Sequence, residues 1–241
     1  MRIGPFKFRP TLWPSLVTLA LLPVLISLGF WQLSRTDEKR DILQQQEQKK
    51  LLPQLVIDGT ELTKEQVEYR RLQVSGEYLA EYQIFIDNKV HQSQVGYYLV
   101  MPLRISNSDQ VLLINRGWVK GTGSRDKLPE IEIPAGKLTL SGVAKFNPKD
   151  VASLGSGNRL GTEWPALVRW IDINGLAKEM NLSLKPFLFL QDKLPEDKYI
   201  REWVFVNSPP EKNLSYAVQW FSLATALLLI YIFVNTKRIK D

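Results

Sequence analysis

LWPSLVTLALLPVLISLGFWQL (residues 12–33) and LSYAVQWFSLATALLLIYIFV (residues 214–234) decide the architecture. Each stretch is free of charge and matches the ~20 residues that a helix needs to cross a bilayer core. About 180 residues of mixed polarity lie between them. The layout is that of a two-span membrane protein with one water-exposed domain tethered at both ends. It divides as an N-terminal tail (1–11), a first span (12–33), a domain (34–213), a second span (214–234) and a C-terminal tail (235–241).

The flanking charges set the expected orientation. Arg2, Lys7 and Arg9 precede the first span, and Lys237, Arg238, Lys240 and Asp241 follow the second. The tails carry +3 and +2 of a total of +6, so the rest of the chain is nearly neutral. Short basic flanks stay cytoplasmic, while long loops cross largely regardless of charge. Both termini are expected in the cytoplasm and the domain in a periplasm. A nucleic-acid partner would need a basic patch on the domain, and its near-neutrality argues against one. The first run exceeds the core of a cleaved signal and lacks a small-residue cleavage site. Its eleven preceding residues leave no room for an Arg-rich transit peptide, so the expected home is a bacterial inner membrane.

The chain has no cysteine, so the domain must fold on its own apolar core. From Ser34 to about Leu52 the sequence is polar and free of Gly and Pro. It reads as the first span continuing into water as a helix, ended at Pro53, or as a solvated linker. Strand-like stretches follow at 72–74, 83–87, 97–105, 110–115, 137–146, 168–173, 187–191 and 203–206. A short helix is expected over 174–180, capped by Asp172 or Asn174. The domain is therefore mostly β (α+β), as a small barrel or sandwich. The glycines of 153–161 break both the dinucleotide and the phosphate-loop spacings, which leaves a surface loop.

Enzymatic chemistry is hard to place. The only histidine, His91, lies in a polar hairpin tip spanning 88–96, where an exposed structural role competes with metal or haem ligation. One His with no Cys makes neither a zinc motif nor a Cys–His nucleophile. No G-x-S-x-G elbow or paired carboxylate stands out. The domain's soft or imidazole donors are His91, Met101 and Met180, too few for direct copper delivery. A membrane-tethered envelope enzyme is the weakest class of reading.

Some positions have physical readings of their own. Gly117, after Arg116, permits a backbone conformation or close approach that other residues resist. Trp31 and Trp220 fall near the outer membrane interface, where an indole keeps its N–H wet and its ring in lipid. Gln32 and Gln219 lie at the same depth on the two spans, placed to bond each other, the domain or a polar ligand.

Several segments, in order from about residue 28 to 234, resemble the surfeit locus protein 1 family of cytochrome c oxidase assembly factors. Leu28-Gly-Phe-Trp-Gln-Leu-Ser-Arg35, followed by Lys39, is similar to the family's signature at the end of its first span. Gly76-Glu-Tyr, Gly96-Tyr-Tyr-Leu-Val-Met-Pro-Leu103 and Val111-Leu-Leu-Ile-Asn-Arg-Gly-Trp-Val119 resemble three of its strands. Trp164-Pro, Arg169-Trp-Ile-Asp172 and Tyr216-Ala-Val-Gln-Trp220 also fit. The resemblance implies a non-enzymatic chaperone of respiratory chain biogenesis, with subunit I of cytochrome c oxidase and other oxidase assembly factors as partners. It also implies transient binding of heme a for insertion into the haem-bearing subunit. Trp31, Gln32, Arg35, Arg116, Tyr216, Gln219 and Trp220 would then form or border a site, with Arg35 or Arg116 pairing a propionate. Many bacterial relatives carry a histidine just before the second span, and here Asn213 stands in its place. An amide is a poor haem ligand, which turns the ligand search to His91 and Tyr216. The alternative is a haem-independent scaffold for nascent oxidase subunits.

Overall fold

The computed structural model describes residues 2–3, 6–124, 127–146, 159–160, 163–194, 198–206 and 208–238. In chain order its elements are β1 (Arg2–Ile3), β2 (Phe6–Phe8), α1 (Leu12–Lys50), β3 (Leu55–Ile57), α2 (Lys64–Val67), β4 (Arg71–Tyr78), β5 (Ile84–His91) and β6 (Gln94–Ile105). There follow β7 (Val111–Lys120), β8 (Leu138–Lys145), β9 (Arg159–Leu160), β10 (Ala166–Val168), α3 (Ile173–Met180), β11 (Leu184–Gln191), α4 (Pro210–Asn235) and β12 (Thr236–Arg238). They fall into two compact units: Met1–Gln45 with Val204–Asp241, and Gln46–Trp203.

The first unit is helical. α1 and α4 are both long and apolar enough to cross a membrane. Their exposed surface is rich in large apolar side chains, Leu19 at 74% and Phe233 at 82% among them, a surface that lipid accommodates and water penalises. Their buried positions are small or polar: Thr18, Gly29 and Thr36 on α1, Ala217 and Ala224 on α4. Small residues let backbones approach, and apolar lipid tails leave close packing to drive helix association. Gly29 shows this directly, since a Cβ there would lie 2.6 Å from the Phe221 ring, which Phe30 meets edge-on at 5.4 Å. Pro23 lies inside α1 without ending it. The polar stretch after Ser34 is helix rather than linker, as far as Lys50. α4 begins at Pro210, four residues before the apolar run, with proline in the first turn where its missing N–H costs nothing.

The two tails of this unit pair with one another. β1, β2 and β12 form a three-stranded antiparallel sheet, with Phe8 opposite Thr236 and Lys7 opposite Lys237. Asn235, 1% exposed, joins the helix ends: its Oδ1 accepts from the Thr11 N–H (2.7 Å) and hydroxyl (2.9 Å). The Ser15 and Tyr231 hydroxyls bond at 2.9 Å beside it. None of these tail strands is legible from hydropathy.

The second unit is β-rich and resolves the choice between barrel and sandwich. β4, β8, β11, β7 and β6 are neighbours in that order, and β4 also pairs with β6, which closes a five-stranded barrel. β3 extends it beside β4, and β5, β10 and β9 extend it beside β6. The interior follows the period-2 rule of a strand. Leu72 and Val74, Leu99, Met101 and Leu103, Leu112 and Ile114, and Phe187 and Phe189 alternate inward and are fully buried. Each such side chain stabilises the fold by about 1.5–3 kcal/mol. Gly117 adopts φ +121°, and a Cβ there would stand 2.8 Å from the Ile200 carbonyl oxygen, so both of its expected roles are realised.

Several strand bounds differ from the sequence reading. Asn88 does not end β5: with φ +57° it sits in a bulge, between the Ile86 and Lys89 pairings, and the strand runs on to His91. The true hairpin turn is Gln92–Ser93, both at positive φ, as a tight two-residue hairpin loop demands. Residues 169–172 are not strand; the chain leaves β10 at Val168 to cap α3, where Asp172 Oδ1 accepts from the Gly175 N–H at 3.0 Å. Residues 203–206 form no strand either; Trp203 instead donates its indole N–H to the Gln191 carbonyl at 2.8 Å. The glycine-rich stretch 153–161 lies outside the described residues apart from 159–160.

Candidate functional site

Gln32, Thr36 and Lys39 fall at i, i+4 and i+7 on α1, a spacing that stacks them on one face of a helix. Thr36 is 1% exposed and donates its hydroxyl to the Gln32 carbonyl at 3.0 Å, which satisfies it within the helix. The other two side chains meet α4. Asn213 Nδ2 donates to Gln32 Oε1 at 2.5 Å, and Asn213 Oδ1 accepts from Lys39 Nζ at 2.5 Å. Lys39 Nζ also donates to Ser208 Oγ at 2.6 Å. Both ends of the Asn213 amide are thus engaged, in a polar cluster that joins α1 to the first turn of α4.

The expected site residues distribute unevenly around this cluster. Gln32 belongs to it, and its partner on the second helix is Asn213 rather than Gln219, which is exposed. Arg35 pairs with Glu38 on its own helix, and both side chains are about half exposed. Trp31 and Tyr216 are exposed at 55% and 42%, and Trp220 is half-buried. Arg116 belongs to the barrel unit and lies buried there. Two members were not expected as site residues. Lys39 was legible in principle, because it continues the polar i, i+4, i+7 row. Ser208 carries no sequence signal; only the fold brings it to Lys39.

His91 is not the exposed turn residue that its hairpin suggested. Its side chain is 19% exposed, tilted against the Trp118 indole at 5.3 Å and 3.8 Å from Glu202. The neighbouring indole is anchored through its N–H to the Lys89 carbonyl at 2.9 Å. Among the described residues no group of three His, Cys, Asp or Glu is placed to hold a metal ion.

Heme a, which the family resemblance implies, makes demands that this helical unit does not meet. Among its described residues there is no His, Cys or Met, and the amide standing where the imidazole is expected is already bonded on both sides. Tyr216 is left as an exposed oxygen donor. The residues present do not fit imidazole or sulfur ligation of a haem.

Two apolar helices, joined by a polar cluster and flanking a closed five-stranded barrel in the chain, define a membrane-type two-helix protein with a β-barrel domain. Residues 19–225 match the SURF1 family, and the chain belongs to it. The family is one of cytochrome c oxidase assembly factors. Relatives run nearly end to end. A SURF1-like protein of Rickettsia felis is 28% identical over 225 residues, covering 90% of this chain and 95% of that protein. One from Rickettsia prowazekii is 28% identical over 221 residues, covering 87% and 84%. A eukaryotic SURF1-like protein, from Monosiga brevicollis, is 21% identical over 235 residues, covering 89% and 84%.

Proposed function

We propose that this chain assists oxidase assembly as a haem-independent scaffold. Its helix pair holds the nascent haem-bearing subunit in the bilayer, and it turns over no substrate. The observation that carries the reading is the commitment of Asn213. A residue whose amide bridges Gln32 and Lys39 works as a helix–helix clamp, and an amide oxygen already held by an ammonium is a weak metal ligand. Polar bonds of this kind fix helix pairs because the alternative in hydrocarbon is an unsatisfied group. The large apolar surface left on both helices supports contact with other membrane helices. The basic tails, with Lys7, Arg9 and Lys237 exposed, support a bacterial inner-membrane location with cytoplasmic termini and a periplasmic barrel.

The test is co-purification of subunit I with the tagged full chain from cells unable to make heme a. Retention of the subunit is expected. Loss of the association, or a stoichiometric heme a band in the reduced-minus-oxidised spectrum of protein purified from heme a-producing cells, would overturn the scaffold reading in favour of haem carriage.

A further inference from the structure

Arg116 is only 6% exposed, yet among the described residues it forms no ion pair. Burying a guanidinium without a counter-charge is costly, so its surroundings need an account. Part of the cost is offset locally. Nη1 donates to the Glu132 carbonyl at 3.1 Å and approaches Met101 Sδ at 3.3 Å. The rings of Tyr199 and Tyr78 lie 4.7 and 5.2 Å from the guanidinium carbon, within cation–π range. Among the described residues Nε and Nη2 have no acceptor, which leaves one edge of the donor fork unused.

That residue lines a pocket of about 460 Å³ whose other walls include Val119, Ile131, Ile133 and Tyr199. Strand geometry brings it there. Leu99 pairs with Gly117 and Val100 with Asn115, so Arg116 is the extra residue of a bulge in β7, next to the positive-φ Gly117. Bulges of this kind re-aim a side chain and recur beside binding sites. One acid lining the pocket is diverted: Glu132 gives Arg116 its carbonyl, while its carboxylate accepts from Lys198 Nζ at 2.9 Å on the rim. Lys198 holds that carboxyl below the usual glutamate range. Glu130, also at the rim, is exposed and forms no ion pair with Arg116.

We propose that this pocket is a carboxylate-binding site, for a carboxylate carried on a small apolar body. A free guanidinium edge donates two parallel hydrogen bonds to a carboxylate, and the isoleucine and tyrosine walls take the apolar part. The carboxylate belongs either to an acidic side chain of a client polypeptide or to a free organic acid. The inference stands apart from the scaffold reading, because it concerns the barrel unit alone.

Hexanoate, hexanamide, N-acetyl-Leu-Asp-Leu-amide and its Asn counterpart are titrated into the detergent-purified full chain. Binding is followed by calorimetry and by the Arg116 Nε–H resonance. Both carboxylates are expected to saturate and to shift that resonance. The two amides should bind roughly tenfold more weakly, about the effect of losing one charge-assisted hydrogen bond. Ile131→Trp, which fills the pocket and leaves the guanidinium in place, should abolish binding; Arg116→Lys should weaken it. Tighter binding of the Asp peptide supports a polypeptide source, and tighter binding of hexanoate a free acid. Equal affinity for acid and amide, no saturation by either acid, or binding that survives Ile131→Trp in wild-type Arg116 protein overturns the proposal.

Discussion

Asn213 donates to one residue of α1 and accepts from another, so a single amide controls two interhelical bonds. Replacing it by alanine leaves the Gln32 side-chain carbonyl without its donor and the Lys39 ammonium with Ser208 Oγ alone. Asn213→Ala is expected to destabilise the helix pair by about 0.6–2 kcal/mol, the range for hydrogen bonds between membrane helices. Thermal unfolding in detergent reads this, and an unchanged midpoint would remove the clamp. Lys185 makes a second residue-scale case, in the barrel unit. It is 4% exposed, and its Nζ donates to the Gly59 and Thr60 carbonyls. Burial pushes its pKa below the ordinary 10.5, while Glu61 and Asp58 pull it partly back. In the alkaline window between the depressed folded value and 10.5, the unfolded chain binds more protons than the folded one. Stability therefore rises with pH through that window. Urea midpoints measured at increasing alkaline pH should climb, and Lys185→Met should flatten the climb.

Elements are held by close approach as much as by polar bonds. Gly29 is the point on α1 where the Phe221 ring lies, with no space for a methyl group between them. Gly29→Ala should cost about 1–3 kcal/mol, as overpacking does, despite alanine's better helix propensity. Phe221→Leu should recover part of that loss, so that a double-mutant cycle gives a clear coupling energy. Additive effects would mean that the two residues do not meet. In the barrel unit, β7 shows the same dependence on backbone detail. Its bulge turns Arg116 away from strict alternation, and Gly117 follows with a backbone conformation that side chains resist.

At the scale of the whole molecule, the prediction concerns the oxidase. A strain lacking this protein should lose activity and content of its heme a-type oxidase while the subunit transcripts stay at wild-type level. Unchanged oxidase spectra in that strain would separate this chain from the role of its family. Expression of the Asn213→Ala protein in that strain connects the scales: partial rescue is expected if the helix pair is the holding surface.

Length and hydropathy alone determined the two helices, because an uncharged run of bilayer length has few other stable fates. Alternation and turn residues determined that the intervening chain is mostly β, and they placed the strand centres around Val74, Leu99, Ile114 and Phe189. Strand ends were legible only in part. Asn88 and a turn look alike in one dimension, since both need positive φ, and only cross-strand register separates a bulge from a chain reversal. The sequence left barrel and sandwich as alternatives, and the closure that decides for the barrel was not legible. It rests on the β4–β6 pairing between strands that are not consecutive in sequence, and no local pattern encodes such a pairing. The site divides in the same way. Gln32 and Asn213 stood out as residues; that they bond each other, with Lys39 and Ser208 completing the cluster, was decided by bringing together positions more than 160 apart in the chain. Composition fixes which groups must be satisfied, and only tertiary packing decides which partner satisfies them.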